Sequence, residues 1–150
     1  MDLLLWRHAE AVEGSPDAAR ELTERGLKQA QRTAAWLEER RPKRLHVLAS
    51  PTVRTRQTAI AFAREFEVVP SLSPEGGVAD ILAATGWPDS RGACLVVGHQ
   101  PALGRLAALL LSGTEADWTI KKGALWWFTN RVRNGETQTV LRAVVPPDLV

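Results

Sequence analysis

Three times along this 150-residue chain, a short apolar run is followed by a polar turn and then by a segment with helical periodicity. These runs occupy residues 3–6, 45–49 and 93–97, and His46 is the one residue in them that is not apolar. A run that is apolar at every position is typical of a strand covered on both faces, and repeated strand–turn–helix units predict parallel strands joined by helical crossovers. This alternation constrains the fold more than any other feature of the sequence.

The helices are predicted from apolar spacing and from signals at their ends. The first is expected over about residues 23–41, because apolar residues, Leu27 among them, recur every three or four positions. The second is expected to begin at Ser50, an N-cap residue before a first-turn proline, and to carry a buried stripe that extends to Phe66. Further helices are expected at about residues 78–84 and from 101 onward.

Two C-terminal segments, at about 124–129 and 137–145, have the composition of strands, and Asn134-Gly135 between them is a hairpin signal. The chain is therefore expected to form a three-layer α/β/α fold with a mainly parallel central sheet and at least one antiparallel strand near the C-terminus. No linker rich in Gly, Ser or Pro divides the chain, so a single domain over residues 1–150 without a lid insertion is predicted.

Composition excludes several classes of protein. A single cysteine, Cys94, cannot pair within the chain, and no apolar run approaches the roughly 18 residues that span a bilayer. The first residues lack the basic start of a secretory signal. A net charge of +2 suits an anionic substrate without indicating nucleic acid. We expect a cytoplasmic monomer with no membrane or nucleic-acid partner.

Basic and imidazole side chains follow all three predicted parallel strands. Arg7 and His8 end the first strand, Arg54 comes soon after the second, and His99 follows the third. Ligands of open α/β sheets bind beyond the carboxyl ends of the strands, so these side chains are expected to meet. Guanidinium groups fit phosphoryl oxygens, and histidine is a nucleophile near neutral pH. The pattern therefore predicts phosphoryl transfer through histidine.

No metal and no cofactor is expected in this chemistry. The acidic residues do not cluster along the chain, and no spacing of cysteine and histidine matches a zinc site. The positive charge that stabilises a phosphoryl group would come from the arginines instead.

Four short motifs occur between the start of the chain and Pro101. They are Leu5-Trp6-Arg7-His8-Ala9-Glu10, Leu22-Thr23-Glu24-Arg25-Gly26 with Gln29-Ala30, Ser50-Pro51-Thr52-Val53-Arg54-Thr55-Arg56-Gln57-Thr58, and Val97-Gly98-His99-Gln100-Pro101. Together, and in this order, they resemble the motifs of the histidine phosphatase superfamily, which has the phosphoglycerate mutase-like fold. In its small size the chain most resembles the members of the SixA-like branch, the phosphohistidine phosphatases.

The resemblance implies a role for each matching residue. His8 would be the nucleophile that becomes transiently phosphorylated. Arg7 and Arg54 would bind the phosphoryl oxygens. His99 would donate a hydrogen bond to the phosphoryl group and stabilise its charge in the transition state.

Three further residues are weaker candidates. Glu10 and Ser50 are candidates for substrate binding, and Glu75 is the candidate general acid. Larger members of the family place that acid between the second and third strands, where this chain has five acidic residues and none in a recognisable motif. Ala9 and Gln100 stand where the family more often has glycine and asparagine.

The missing acid bears on the substrate. An imidazole leaves phosphorus more readily than an alkoxide does, so a site without a dedicated acid favours phosphohistidine over a phosphate ester. The short segment between the second and third strands forms no lid, and an open site would admit a side chain displayed on another protein. We therefore expect a phosphohistidine phosphatase that acts on a phosphorylated protein, for example a signalling or phosphotransfer domain in signal transduction.

Two alternatives stay open on the sequence. One is a phosphatase, or less readily a mutase, that acts on a small phosphorylated metabolite with the same His8 chemistry. The other is a non-catalytic regulatory module that only binds phosphate.

Other conspicuous residues have structural interpretations. The basic run at residues 40–44 places cations at a helix C-terminus, where the helix dipole favours them. His46 lies inside a predicted strand and is given no role in the site. Trp126 and Trp127 are adjacent in a strand and must point to opposite faces, with one of them in the core.

Overall fold

A six-stranded mixed sheet lies at the centre of the protein, and the computed structural model describes all of residues 1–150. In chain order the strands are β1 (Asp2–Arg7), β2 (Leu45–Ala49), β3 (Glu67–Val68), β4 (Ala93–Gly98), β5 (Leu125–Arg133) and β6 (Glu136–Val145). Their order across the sheet is β3-β2-β4-β1-β5-β6. The first four strands of that order run parallel, whereas β5 is antiparallel to β1 and β6 is antiparallel to β5. The predicted α/β fold is confirmed.

Two helices pack on each face of the sheet. They are α1 (Glu24–Glu38), α2 (Val53–Ile60), α3 (Val78–Thr85) and α4 (Ala102–Ser112). Side chains alternate along a strand, so Leu4 and Trp6 of β1 pack on the side of α1 and α2, while Leu3 and Leu5 pack on the side of α3 and α4. This two-sided burial explains the continuous apolar run and gives the three layers. No helix has both the length and the apolar character needed to cross a membrane.

The buried stripe of α1 runs through Gly26, Ala30 and Leu37 rather than through Leu27, which is 43% exposed. The expectation that Leu27 faces the core is therefore wrong. It lies beside the stripe because Gly26 occupies the position where the helix touches the loop after β1. The helix ends at Glu38, earlier than predicted, because the next hydrogen bonds, from the Arg40 N–H to the Leu37 carbonyl and from the Arg41 N–H to the Glu38 carbonyl, have the spacing of turns.

Helix α2 begins later than predicted. The Ser50 N–H donates to the carbonyl of Val97 at 3.1 Å, so Ser50 continues β2, and the helix starts only at Val53. It also ends before the predicted stripe is complete. Phe66 is not helical, and it packs against the same core from the segment that follows. A hydrogen bond between neighbouring strands, which the local sequence does not show, thus overrides the capping signal.

The C-terminal strands form the predicted hairpin. Asn134 and Gly135 have φ values of 53° and 77°, the left-handed backbone that a two-residue type I′ turn requires. Trp127 is buried on the side of α1 and α2, and Trp126 is partly buried on the opposite side. The two-residue edge strand β3 was not predicted, because two residues carry no periodic signal.

Candidate active site

The three parallel strands that precede the candidate residues end at one edge of the sheet. Arg7 at the end of β1 lies opposite Gly98 at the end of β4, and Ala49 at the end of β2 lies opposite Val97. The residue that follows β1 is fixed as well, since the His8 N–H donates to the Gly98 carbonyl at 3.2 Å. The sheet therefore brings residues from three distant parts of the chain to one place.

The two histidines lie next to each other at this edge, with their rings tilted. The ring centroids of His8 and His99 are 5.4 Å apart, with an angle of 56° between the ring planes. Both residues are buried, with 7% and 6% of their surfaces exposed. The predicted meeting of these two imidazoles is present in the structure.

The environment of His8 suits a nucleophile. Its Nδ1 lies 2.7 Å from the carbonyl oxygen of Ala9, which can only accept, so the ring proton is on Nδ1 and Nε2 carries the lone pair. The pKa of His8 is lowered to about 4, chiefly by burial; the Ala9 hydrogen bond opposes this shift, and the charges of Arg54, Arg7 and Lys122 add to it. The imidazole is therefore neutral at physiological pH, with a free nitrogen for attack.

His99 is held by Ser50. Its Nε2 lies 2.7 Å from Oγ of the fully buried Ser50, whose Oγ also accepts the Thr52 N–H at 3.4 Å. The Ser50 hydroxyl can then donate to Nε2, which leaves the ring proton on Nδ1. Burial lowers the pKa of His99 to about 3, with smaller contributions from the His8 and Arg54 charges. Ser50 thus contacts His99 and orients its ring, and no part of it is open to a ligand.

Two arginines complete the cluster. Arg54 lies in the first turn of α2 and is 4% exposed, and Arg7 donates from Nη1 to the Ile120 carbonyl at 2.9 Å. Burial lowers the pKa of Arg7. The buried side-chain polar atoms that lack a hydrogen-bond partner are Nε of Arg7 and Nε of Arg54. An unpartnered buried donor costs about 1–3 kcal/mol. Both donors belong to guanidinium groups whose charges act on His8, so the cluster is suited to an anion.

Asp17 is a residue of this site that the sequence analysis missed. Arg54 donates from Nη1 to the Asp17 carbonyl at 2.8 Å and from Nη2 to the Asp17 carboxylate at 3.0 Å. Arg20 donates to the other carboxylate oxygen at 3.0 Å. Hydrogen bonds from Arg20 and then Arg54 hold the pKa of Asp17 below its usual value. The spacing of Asp17 and Arg20, three residues apart, was the available signal, but the segment looked like an ordinary polar turn.

Neither acidic candidate from the sequence, Glu10 or Glu75, is hydrogen-bonded or ion-paired to the two histidines or to Arg7 and Arg54. The Glu10 carboxylate accepts a hydrogen bond from the Thr23 hydroxyl at 2.7 Å and lies 3.9 Å from Arg25, so it faces the start of α1. Glu75 is exposed on the loop between β3 and α3 and makes no ion pair. Its neighbours Ser73 and Gly76 border a small cavity next to His99, and the Glu75 side chain is not part of that lining.

The remaining motif residues fasten the loop that follows His8. The contacts are the Ala9 N–H to Thr58 Oγ1 at 3.1 Å, the Glu10 N–H to Gln29 Oε1 at 2.9 Å, and the Leu22 N–H to Gln57 Oε1 at 2.7 Å. Gly26 packs directly against the backbone of Glu10, where a Cβ would overlap the carbonyl oxygen. These motifs therefore have a physical purpose, which is to fix the backbone around the nucleophile.

The chain is similar to known proteins over most of its length. The family described as the histidine phosphatase superfamily (branch 1) matches residues 3–75. The uncharacterized protein Rv1276c of Mycobacterium tuberculosis is 35% identical over 119 residues, which cover 73% of each chain. The uncharacterized protein SYNPCC7002_A2622 of a Picosynechococcus species is 34% identical over 136 residues, or 83% of this chain and 82% of that one.

A solved structure extends the similarity to the whole chain. The protein histidine phosphatase SixA complexed with tungstate is similar with a TM-score of 0.78 and 27% identity, over 99% of both chains. The resemblance found in the four motifs is thereby confirmed in sequence and in three dimensions. The chain therefore belongs to the histidine phosphatase superfamily (branch 1), among its SixA-like members, and is a phosphatase.

Proposed function

We propose that this phosphatase removes the phosphoryl group from phosphohistidine on a protein substrate, through a phosphorylated His8. The observation that carries the proposal is the pair of unpartnered Nε donors on Arg7 and Arg54, which are buried beside a neutral His8. Hydrogen bonds to the Ile120 carbonyl and to Asp17 hold the two guanidinium groups in place, and guanidinium groups positioned in this way are suited to stabilise charge on phosphoryl oxygens.

The first step transfers the phosphoryl group to the enzyme. His8 Nε2 attacks phosphorus and forms a P–N bond while the bond from phosphorus to the substrate imidazole breaks. The other nitrogen of the substrate ring carries a proton taken from solvent, so the leaving nitrogen keeps the bonding electron pair and a neutral imidazole departs. The His8 ring becomes positive, and the Ala9 carbonyl that accepts from Nδ1 stabilises this charge. Arg7 and Arg54 neutralise the equatorial oxygens, and His99 donates from Nδ1.

The second step restores the enzyme. Water attacks phosphorus from the side that the leaving group vacated, the bond between phosphorus and Nε2 breaks, and inorganic phosphate leaves. The proton of the attacking water passes to the phosphate or to solvent, and Nε2 recovers its lone pair.

The acidic residues near the site support phosphohistidine over an ester. Release of an alkoxide needs a proton donor, whereas an imidazole is a far weaker base. Asp17 is kept ionised by Arg20 and Arg54, and an ionised carboxylate has no proton to donate. Glu10 is hydrogen-bonded to Thr23. Glu75 is exposed, and a role as general acid would require movement of its loop.

Trapping of the intermediate tests the chemistry. The protein is mixed with a phosphotransfer domain carrying radiolabelled phosphohistidine and is denatured in alkali, because phosphoramidates hydrolyse in acid. EDTA is present throughout, since the arginines are expected to supply the positive charge. Label is expected on His8. The His8→Ala variant is expected to fold normally and to show neither label nor turnover.

The matched control is His46→Ala, since His46 is an exposed histidine on β2 away from the site. It should label and turn over like the wild type. Label on another residue, or turnover by the His8→Ala variant, contradicts the mechanism. Substrate competition tests the specificity: rapid turnover of one small phosphate ester, with none of the phosphoprotein, would replace this proposal with a metabolite phosphatase.

A further inference from the structure

A strongly basic cavity of about 560 Å³ opens beside the active site. We call it the basic basin and define it by the six cationic side chains that line it: Arg7, Arg25, Lys28, Arg32, Lys121 and Lys122. Three of them come from one face of α1, because residues 25, 28 and 32 recur at helical spacing. The others come from the end of β1 and from the segment before β5.

The cations of the basin are mostly without counter-charges. Glu10 and Asp148 are the acidic residues in its lining, which leaves an excess of four positive charges in one cavity, against +2 for the whole chain. Four of the six cations have no carboxylate within 4.0 Å and are exposed, namely Lys28, Arg32, Lys121 and Lys122. Like charges that converge without partners repel one another, so the basin is suited to a ligand with several negative charges.

The basin is joined to the nucleophile through the backbone. The Gly123 N–H donates to the carbonyls of both Arg7 and His8, at 3.1 Å each. The Gly123 carbonyl in turn accepts from Trp6 Nε1 at 3.0 Å and from the Thr33 hydroxyl at 2.8 Å. The lysine pair before Gly123 is therefore anchored to the strand that carries His8, and Arg7 belongs to both the basin and the active site.

We propose that the basic basin docks acidic side chains that flank the phosphorylated histidine on the protein substrate. This inference rests on the proposed function and adds to it the kind of surface that the enzyme recognises. Carboxylates of a partner would pair with cations that have no partner in the free enzyme, and they would steer the phosphorylated residue towards His8.

The lining favours a protein surface over a small polyanion. Pockets for small molecules are mostly walled by apolar side chains that bury the body of the ligand, and the basin has no such wall. Carboxylates on a protein surface need only charge and access, and both are present because Lys28, Arg32, Lys121 and Lys122 are exposed.

The test compares two substrates and two pairs of charge reversals. The basin variant is Lys28→Glu with Arg32→Glu on α1, and the control is Arg131→Glu with Arg133→Glu near the tip of the β5–β6 hairpin, where both side chains are also exposed. The substrates are a phosphotransfer domain phosphorylated on histidine and the free amino acid phosphohistidine. Steady-state kcat/KM is measured at low and high salt.

For the basin variant, kcat/KM on the phosphorylated domain should fall roughly ten- to a hundredfold at low salt, mainly through KM, because steering by several charges changes association by such factors. Turnover of free phosphohistidine should change less than about twofold, which also shows that the variant is folded. The wild type should lose the same activity as salt rises, and the control variant should behave like the wild type. Neutralising the acidic residues around the histidine of the domain should remove the difference between wild type and basin variant.

Each other result overturns the docking proposal. Equal loss on both substrates would mean that the basin affects the chemistry and not the docking. No loss on the domain would mean that the basin does not contact it, while the proposed function would stand. Selective loss on a small bisphosphate, with the domain unaffected, would assign the basin to a small polyanion. A wild type inactive on the domain would refute the proposed function, and the docking proposal with it.

Discussion

The two buried histidines should make the stability of this protein depend steeply on pH. In the folded protein, burial lowers the pKa values of His8 and His99 to about 4 and about 3, from an ordinary value of 6.5. Between those values and pH 6.5 the unfolded chain therefore binds more protons than the folded chain does. The stability that the two neutral rings contribute is therefore fully present above about pH 7. The free energy of unfolding falls as the pH drops below 6.5.

The size of the effect follows from the same values. At pH 5 an unfolded histidine is almost fully protonated, whereas both buried rings are still neutral. Each ring then contributes a loss of about 2 kcal/mol between pH 7.5 and pH 5, and the pair contributes about 4 kcal/mol. Folded domains are stable by roughly 5–15 kcal/mol, so this loss is a large share of the total.

Urea unfolding at pH 7.5 and at pH 5 measures the loss. Tryptophan fluorescence is a suitable probe, because Trp6 and Trp127 are buried and will be exposed to water on unfolding. Buffers without phosphate or sulfate are needed, since an anion bound only to the folded state would add stability of its own. The free energy of unfolding of the wild type should fall by about 4 kcal/mol between the two conditions.

Variants separate the histidines from the other titrating groups. A double variant with His8→Gln and His99→Gln should lose most of the pH dependence, whatever its stability at pH 7.5. The His46→Gln variant, altered at an exposed position, should keep the dependence of the wild type. A double variant whose stability falls between pH 7.5 and pH 5 as much as that of the wild type would refute the assignment of the effect to these two rings.

Three substitutions test the site and its support. Arg54→Ala should lower kcat about 10²- to 10³-fold in steady-state assays, because it removes donors to the developing phosphoryl charge; a change in KM alone would contradict this. Ser50→Ala should lower kcat roughly tenfold and shift its pH profile, because His99 loses the hydroxyl that fixes its tautomer; an unchanged profile would argue against that role. Gly26→Ala should destabilise the protein by about 1–3 kcal/mol in thermal unfolding, because a Cβ there overlaps the Glu10 carbonyl; an unchanged melting temperature would contradict this.

The sequence by itself determined the elements whose signals are local. The apolar run of β1 required burial on both faces, and Asn134-Gly135 required a left-handed turn between two strands. The succession of strands and helices along the chain followed from these patterns, apart from the two-residue β3, whereas the order of the strands across the sheet did not. The meeting of His8 with His99 followed as well, since the carboxyl ends of parallel strands share an edge.

The tertiary structure alone decided which side chains contact one another across that edge. Asp17 and Arg54 are 37 residues apart, Ser50 and His99 are 49 apart, and neither pair has a pattern that links its members. The late start of α2 likewise depends on a hydrogen bond from Ser50 to β4. The basic basin gathers cations from α1, from β1 and from the segment before β5, none of which is unusual within its own stretch. Periodicity and capping are interactions between near neighbours in the chain, whereas charge pairing acts through space, so it becomes visible only when the chain has folded.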